Sequence, residues 1–79
     1  MPEIFREQGF KVVIFYDDHK PAHVHVLKSG HAIKIEITGS CKLIKVNGNI
    51  SQKDANKALK LVRLHQAELI KIWEDIHGK

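Results

Sequence analysis

Apolar and polar residues alternate along the first half of the chain, which predicts β-strands there. Every second residue from Phe10 to Tyr16 is aromatic or β-branched, a pattern typical of a buried strand. Similar alternation recurs twice before Thr38, and a shorter, less regular apolar run follows it. The four predicted strands cover residues 10–16, 23–28, 31–37 and 42–46.

The dipeptide Ser29-Gly30 predicts a tight turn between the second and third of these strands. A two-residue loop fixes the register of the hairpin and separates its side chains into two faces. One face carries branched aliphatic residues, and the other carries histidines opposite charged residues. The polar pairs are His23 with Glu36 and His25 with Lys34. We expect the aliphatic face to form the core.

After Ser51 the apolar residues recur every three or four positions, which predicts one long helix over residues 51–77. Ser51 and Asp54 resemble a capping box at its start. The chain is therefore expected to form a single α+β domain over residues 1–79. Its small antiparallel sheet of about four strands would pack on one C-terminal helix. One helix leaves the second face of the sheet open to water or to a partner.

Composition narrows the class of protein. The chain is 43% hydrophobic and 28% charged, which favours a folded globular protein over a disordered one. Its single cysteine, Cys41, excludes an internal disulfide, so a reducing, cytoplasmic location is expected. Neither a membrane span nor the pattern of a secretion signal is present. The net charge of +4 is compatible with a nucleic-acid partner without requiring one.

Three histidines, His19, His23 and His25, lie at a transition from loop to strand. Two histidines separated by one strand residue project from the same face, so they could share a divalent metal such as zinc with His19. Beyond such a metal, no cofactor is expected. The alternative is that His23 and His25 are strand residues that pair with Glu36 and with backbone groups.

A catalytic hypothesis uses the same histidines. His23 and His25, with Lys34 or Lys20 neutralising a phosphate, could cleave RNA by general acid–base chemistry without a metal. This mechanism needs imidazoles on opposite sides of the phosphate, and two on one strand face suit it loosely. The sequence therefore favours a role other than catalysis.

Four segments of the chain resemble the bacterial domain-of-unknown-function 4160 family. They are MPEI at residues 1–4, YDDH at 16–19, PAHVHV at 21–26, and HQAEL at 65–69 followed by Trp73. Ala22 stands where the family's core usually has a second proline. The resemblance implies a small cytoplasmic bacterial protein, often encoded beside another small protein in a pair suspected of being toxin–antitoxin-like. It implies no activity, and it selects the positions of His19, His23, His25 and His65.

The leading functional hypothesis is an interaction module, one component of a toxin–antitoxin-like or regulatory gene pair. It would present the open sheet face or the exposed side of the helix to a small protein encoded nearby, with nucleic acid as a further target. A homo-oligomer is compatible with the sequence. The alternatives are an RNA-acting enzyme and a histidine-based metal-binding protein. Candidate interaction residues are Asp17, Asp18, His19, Glu36, Leu64 and His65.

Overall fold

The computed structural model describes residues 3–15 and 19–78 and shows a five-stranded antiparallel sheet with two helices. The strands are β1 (Glu3–Glu7), β2 (Phe10–Val13), β3 (His23–Lys28), β4 (His31–Glu36) and β5 (Lys42–Asn47). The helices are α1 (Gln52–Leu64) and α2 (Gln66–His77). Each strand pairs with its neighbour in the chain, so the order across the sheet is β1 to β5. The α+β fold class is confirmed.

The hairpin of β3 and β4 has the predicted register. His23 lies opposite Glu36 and His25 opposite Lys34. Its turn residues, Ser29 and Gly30, have φ angles of 49° and 79°. Two successive positive φ angles match the right-handed twist of the flanking strands. Local pattern and turn chemistry therefore suffice to place these two strands.

The prediction of about four strands was wrong by one, because β1 is also part of the sheet. Two apolar residues, Ile4 and Phe5, follow each other in β1, so its residues do not alternate between apolar and polar. The pairing with β2 accommodates them through an irregularity between Glu3 and Phe5. The turn to β2 uses Gln8 and Gly9, with φ angles of 54° and 81°. Glutamine is not a usual residue at such a turn, so neither alternation nor turn chemistry indicated the strand.

The ends of three other strands differ from the prediction by one to three residues. β2 ends at Val13, so Ile14 and Phe15 lie beyond it, and Tyr16 is outside the described residues. β4 ends at Glu36, one residue early, and β5 continues to Asn47, one residue late.

The prediction of one long helix was also wrong, because the helix is interrupted at His65. This residue has φ −106° and ψ 15°, far from the helical values of about −63° and −42°. An uninterrupted helix over the same stretch would be about 39 Å long at 1.5 Å per residue. The longest Cα extent of the molecule is 33 Å. The break lets α1 bury Ala58 and Val62 and lets α2 bury Leu69 and Trp73 in the same core.

The core lies between the helices and one face of the sheet. Its fully buried members are aliphatic or aromatic residues of the strands, of positions just after β2 and β4, and of both helices. The largest are Phe10, Val12, Ile14, Val24, Val26, Ile33, Ile35, Ile37, Val62 and Leu69. The opposite side of the sheet is called the open face below. Within the described part of the chain, neither helix has the length and apolar character that crossing a membrane requires.

Ser51 caps α1 as predicted, because its Oγ accepts a hydrogen bond from the backbone N–H of Asp54 at 3.0 Å. The Asp54 carboxylate reaches to the sheet and accepts from Lys28 Nζ at 3.2 Å. The same ammonium group lies 4.7 Å from the centre of the Phe10 ring. The hydrogen bond from Lys28 is the largest cause that lowers the pKa of Asp54 below its ordinary value of 3.8. This contact joins the start of α1 to the end of β3.

Acid should weaken the contact between the Asp54 carboxylate and Lys28. Because the pKa of Asp54 is lower in the folded chain than in the unfolded chain, the ionised carboxylate stabilises the fold above its unfolded pKa. That contribution is lost as the pH falls through the folded pKa. Urea unfolding at about pH 6 and about pH 2.5 should therefore show a larger loss of stability for the wild type than for Asp54→Asn. Equal losses in both proteins would contradict the assignment.

Candidate functional site

Five rings form a continuous cluster where β3 begins and α2 ends, called the ring cluster below. Its members are Phe15, His23, His25, Trp73 and His77. The ring centres of His23 and His25 are 5.1 Å apart, and His25 lies 4.6 Å from Phe15. On the other side, His23 lies 5.3 Å from Trp73, which stacks on His77 at 3.9 Å. The ring cluster therefore connects the open face to the end of α2.

His23 is held by the backbone close to it. Its Nδ1 lies 2.8 Å from the carbonyl oxygen of Pro21. A carbonyl oxygen only accepts hydrogen bonds, so Nδ1 carries the proton and donates. In the neutral ring, Nε2 then carries the lone pair. The contact fixes both the tautomer and the orientation of the imidazole.

The expectation that His23 and His25 are both exposed on the open face was wrong for His23. Its cross-strand neighbour is Glu36, as predicted, but only 3% of its surface is exposed. Trp73 of α2 packs against it, although the helix was expected to pack on the aliphatic face of the sheet. His25 is half-buried. A buried His23 cannot contact a large ligand without a local rearrangement.

His77 closes the ring cluster and was not singled out by the sequence. Its Nδ1 lies 3.2 Å from the carbonyl oxygen of Trp73, and its Nε2 lies 3.0 Å from that of Phe15. Both oxygens are acceptors, so each contact requires a proton on the ring nitrogen that makes it. The one sequence signal was a basic residue in the last turn of a helix, a position that favours cations. His77 links the end of α2 to the segment that follows β2.

An open depression beside the ring cluster collects several predicted site residues. Its volume is about 510 Å³, within the usual range for small-molecule sites. The lining residues are His19, Lys20, Pro21, His23, Lys34, Glu36 and Ile44. The Glu36 carboxylate accepts a hydrogen bond from the hydroxyl of Thr38. His19 and Lys20 are exposed, so the rim is basic and accessible.

The zinc hypothesis receives no complete ligand set from the structure. Across residues 3–15 and 19–78, no three histidine, cysteine, aspartate or glutamate side chains are grouped so that they could hold a metal ion. Asp17 and Asp18, which were named as interaction residues, lie outside the described residues. The metal site at His19, His23 and His25 therefore stays a prediction.

The two candidates on the helices lie away from the ring cluster. His65, at the helix break, contacts the Phe5 ring at 4.6 Å and the Glu68 carboxylate at 3.2 Å. Its Nε2 is 3.7 Å from the Glu7 carboxylate of β1. Leu64 is 76% exposed. The structure therefore separates these residues from His23 and His25.

The outer edge of the sheet at β5 is a second candidate surface. All six residues of β5 are exposed, although three of them are large and apolar. Leu43 is 37% exposed, Ile44 45% and Val46 39%. The sequence indicated this strand only as a short, irregular apolar run, and it did not indicate that the strand would be an edge.

Comparison with known proteins identifies one family. The sequence model of the domain of unknown function DUF4160 matches residues 9–74. The matched stretch runs from the turn before β2 into the last turns of α2. It includes four of the five members of the ring cluster, namely Phe15, His23, His25 and Trp73. No curated protein and no solved structure was found to match the chain.

Proposed function

This chain belongs to the DUF4160 family, a domain of unknown function, and we propose that it is a protein-binding module. Its binding element would be the outer edge of β5, to which an extended segment of a partner adds as a further strand. The observation that carries the proposal is the exposure of all six β5 residues, including Leu43, Ile44 and Val46.

An edge strand supplies both parts of such an interaction. Its outer side has backbone N–H and C=O groups that no other described strand uses, and these can pair with an added strand. The apolar side chains of Leu43, Ile44 and Val46 would be buried against side chains of the partner segment. These contacts would make the pairing selective. Lys42 and Lys45 on the same strand favour a partner segment that carries acidic residues.

The resemblance described above adds a context for the partner. It supports a second small protein encoded in the adjacent gene, in a toxin–antitoxin-like or regulatory pair. In that arrangement this chain contributes recognition and no chemistry. The partner segment would be short, extended, apolar at alternate positions and acidic between them.

Ile44→Asp should abolish complex formation with the product of the adjacent gene. The change places a negative charge at the most exposed apolar side chain of β5 and repels an acidic segment. Co-expression followed by size-exclusion chromatography measures the effect. Ala67→Asp is the matched control, because Ala67 is also exposed and lies on α2 instead of β5.

The control variant should still co-elute with the partner. Independent elution of the two wild-type proteins would overturn the proposal. A wild-type chain that dimerises alone, and loses the dimer in Ile44→Asp, would identify a second copy as the occupant of the edge. Circular dichroism of both variants checks that they remain folded.

The enzymatic alternative has less support. RNA cleavage by His23 and His25 needs imidazole nitrogens that reach the phosphate, but His23 is 3% exposed and its Nδ1 is used by Pro21. Unchanged RNA during incubation with the wild-type protein would exclude this alternative without affecting the protein-binding proposal.

A further inference from the structure

Gln66, the first residue of α2, holds the loop between β4 and β5. Its side-chain nitrogen Nε2 lies 2.7 Å from the carbonyl oxygen of Ile37 and 2.7 Å from that of Gly39. Both oxygens only accept hydrogen bonds, so the amide must turn its NH₂ group toward them. Ile37 is fully buried and Gly39 is exposed, so the two contacts extend from the core to the surface of the loop.

Arg63, in the last turn of α1, holds the rest of the same loop. Its Nε donates to the carbonyl oxygen of Ser40 at 3.0 Å, and its Nη2 donates to that of Cys41 at 3.3 Å. The next residue, Lys42, begins β5. The two side chains therefore bind four carbonyl oxygens of the segment that leads into the outer strand. These four contacts are called the loop clamp below.

The start of β5 needs support from outside the strand, because burial and regular pairing contribute little there. All six residues of β5 are exposed. Leu43 lies opposite Ile35, and Lys45 lies opposite Lys34. Ile44, between them, lies opposite no residue of β4 in the described sheet. Such a bulge disrupts the hydrogen bonds of the pair locally, and segments with little burial open at a lower free energy than the core does.

The end of β5 is held separately by His31 at the start of β4. Its Nδ1 accepts a hydrogen bond from the backbone N–H of Asn49 at 3.2 Å, two residues after the strand ends. Side chains of other elements therefore fix the chain just before β5 and just after it. This arrangement keeps the strand extended and leaves its outer edge uncovered.

We propose that Gln66 and Arg63 are positioning residues for strand addition at β5. The inference rests on the protein-binding proposal above, and it adds the residues that prepare the binding edge. A partner segment pairs with an extended strand, so an edge that opens locally must first be ordered. Fixing a segment in its bound conformation raises affinity because this ordering cost is lower. Both side chains act through the loop that precedes β5.

Gln66→Met tests the inference, because methionine is similar in length and has no donor for the two oxygens. The amides of β5 that pair with β4 should exchange hydrogen for deuterium about tenfold faster or more, while those of β3, in the centre of the sheet, should change by less than about threefold. The affinity for the product of the adjacent gene, measured by isothermal titration calorimetry, should fall about tenfold.

Gln52→Met is the matched control. Gln52 is the first residue of α1, as Gln66 is of α2, but its Nε2 donates to Asn56 of its own helix at 3.1 Å. Its exchange at β5 and its affinity should both stay within about twofold of the wild type. Gln66→Lys restores a donor that can reach the same oxygens, so its β5 amides should exchange within about threefold of the wild-type rate.

Equal acceleration of exchange in β3 and β5 would show that Gln66 supports the whole fold, and it would overturn the inference. Faster exchange in β5 with unchanged affinity would also overturn it, because the edge would then bind without the loop clamp. Failure of the wild-type protein to bind would remove the protein-binding proposal itself. That result differs from the first two because it appears before any residue is changed.

Discussion

Trp73→Ala should lower the free energy of unfolding by about 3–5 kcal/mol. Trp73 is 4% exposed, and its ring contacts His23 on one side and stacks on His77 on the other. Truncation removes this packing and leaves a cavity between α2 and the start of β3. A domain of this size has a total stability of about 4–12 kcal/mol, so the substitution should remove a large part of it.

Urea unfolding followed by circular dichroism measures the loss. Trp73→Phe is the matched variant, because it retains an aromatic ring in contact with His23, and it should lose less than half as much. Leu64→Ala, at a 76% exposed position of α1, should change the stability by less than about 0.5 kcal/mol. A loss below about 1 kcal/mol for Trp73→Ala would contradict the role of Trp73 in joining helix and sheet.

Gly48→Ala should destabilise the fold by about 2–4 kcal/mol, for two separate reasons. Gly48 has φ +98°, a left-handed conformation that disfavours a side chain. A Cβ at this position would also collide with Nδ1 of His31 and lie 3.1 Å from its Cγ. The same Nδ1 accepts a hydrogen bond from the backbone N–H of Asn49 at 3.2 Å, so the ring has little freedom to move away.

Two further variants separate the backbone cost from the collision. Gly30 has φ +79°, and no described atom lies within 4 Å of the place that an added Cβ would occupy. Gly30→Ala should therefore show the backbone cost alone, about 1 kcal/mol. His31→Ala should recover part of the stability lost in Gly48→Ala, and a double-mutant cycle measures that part. Equal losses for Gly30→Ala and Gly48→Ala would show that the collision is relieved by movement of the ring.

The parts of the fold that are determined by residues close together in sequence were predictable. The β3–β4 hairpin was placed correctly because its alternation and its Ser29-Gly30 turn agree. The strand β1 was missed because an irregular pairing at Phe5 and an unusual turn residue, Gln8, removed both signals. The helix break was missed because apolar spacing continues through His65, with no proline or glycine to mark it.

The candidate site was predicted less well, because it depends on contacts between distant parts of the chain. The sequence placed His23 and His25 on one face of a strand. It could not show that α2, redirected at His65, brings Trp73 against His23. His77 was missed for the same reason, since its contact with Phe15 joins residues 62 positions apart.

The order of the strands also has a consequence for how the chain reaches its folded state. Because each strand pairs with its neighbour in sequence, the whole sheet can grow by successive closure of short loops. Such local pairing favours rapid folding compared with sheets of the same size built from distant segments. The docking of α2 on the start of β3 is different, since it must bring together residues about fifty positions apart, Trp73 and His23. The step that completes the ring cluster therefore costs more loop-closure entropy than the pairing of neighbouring strands.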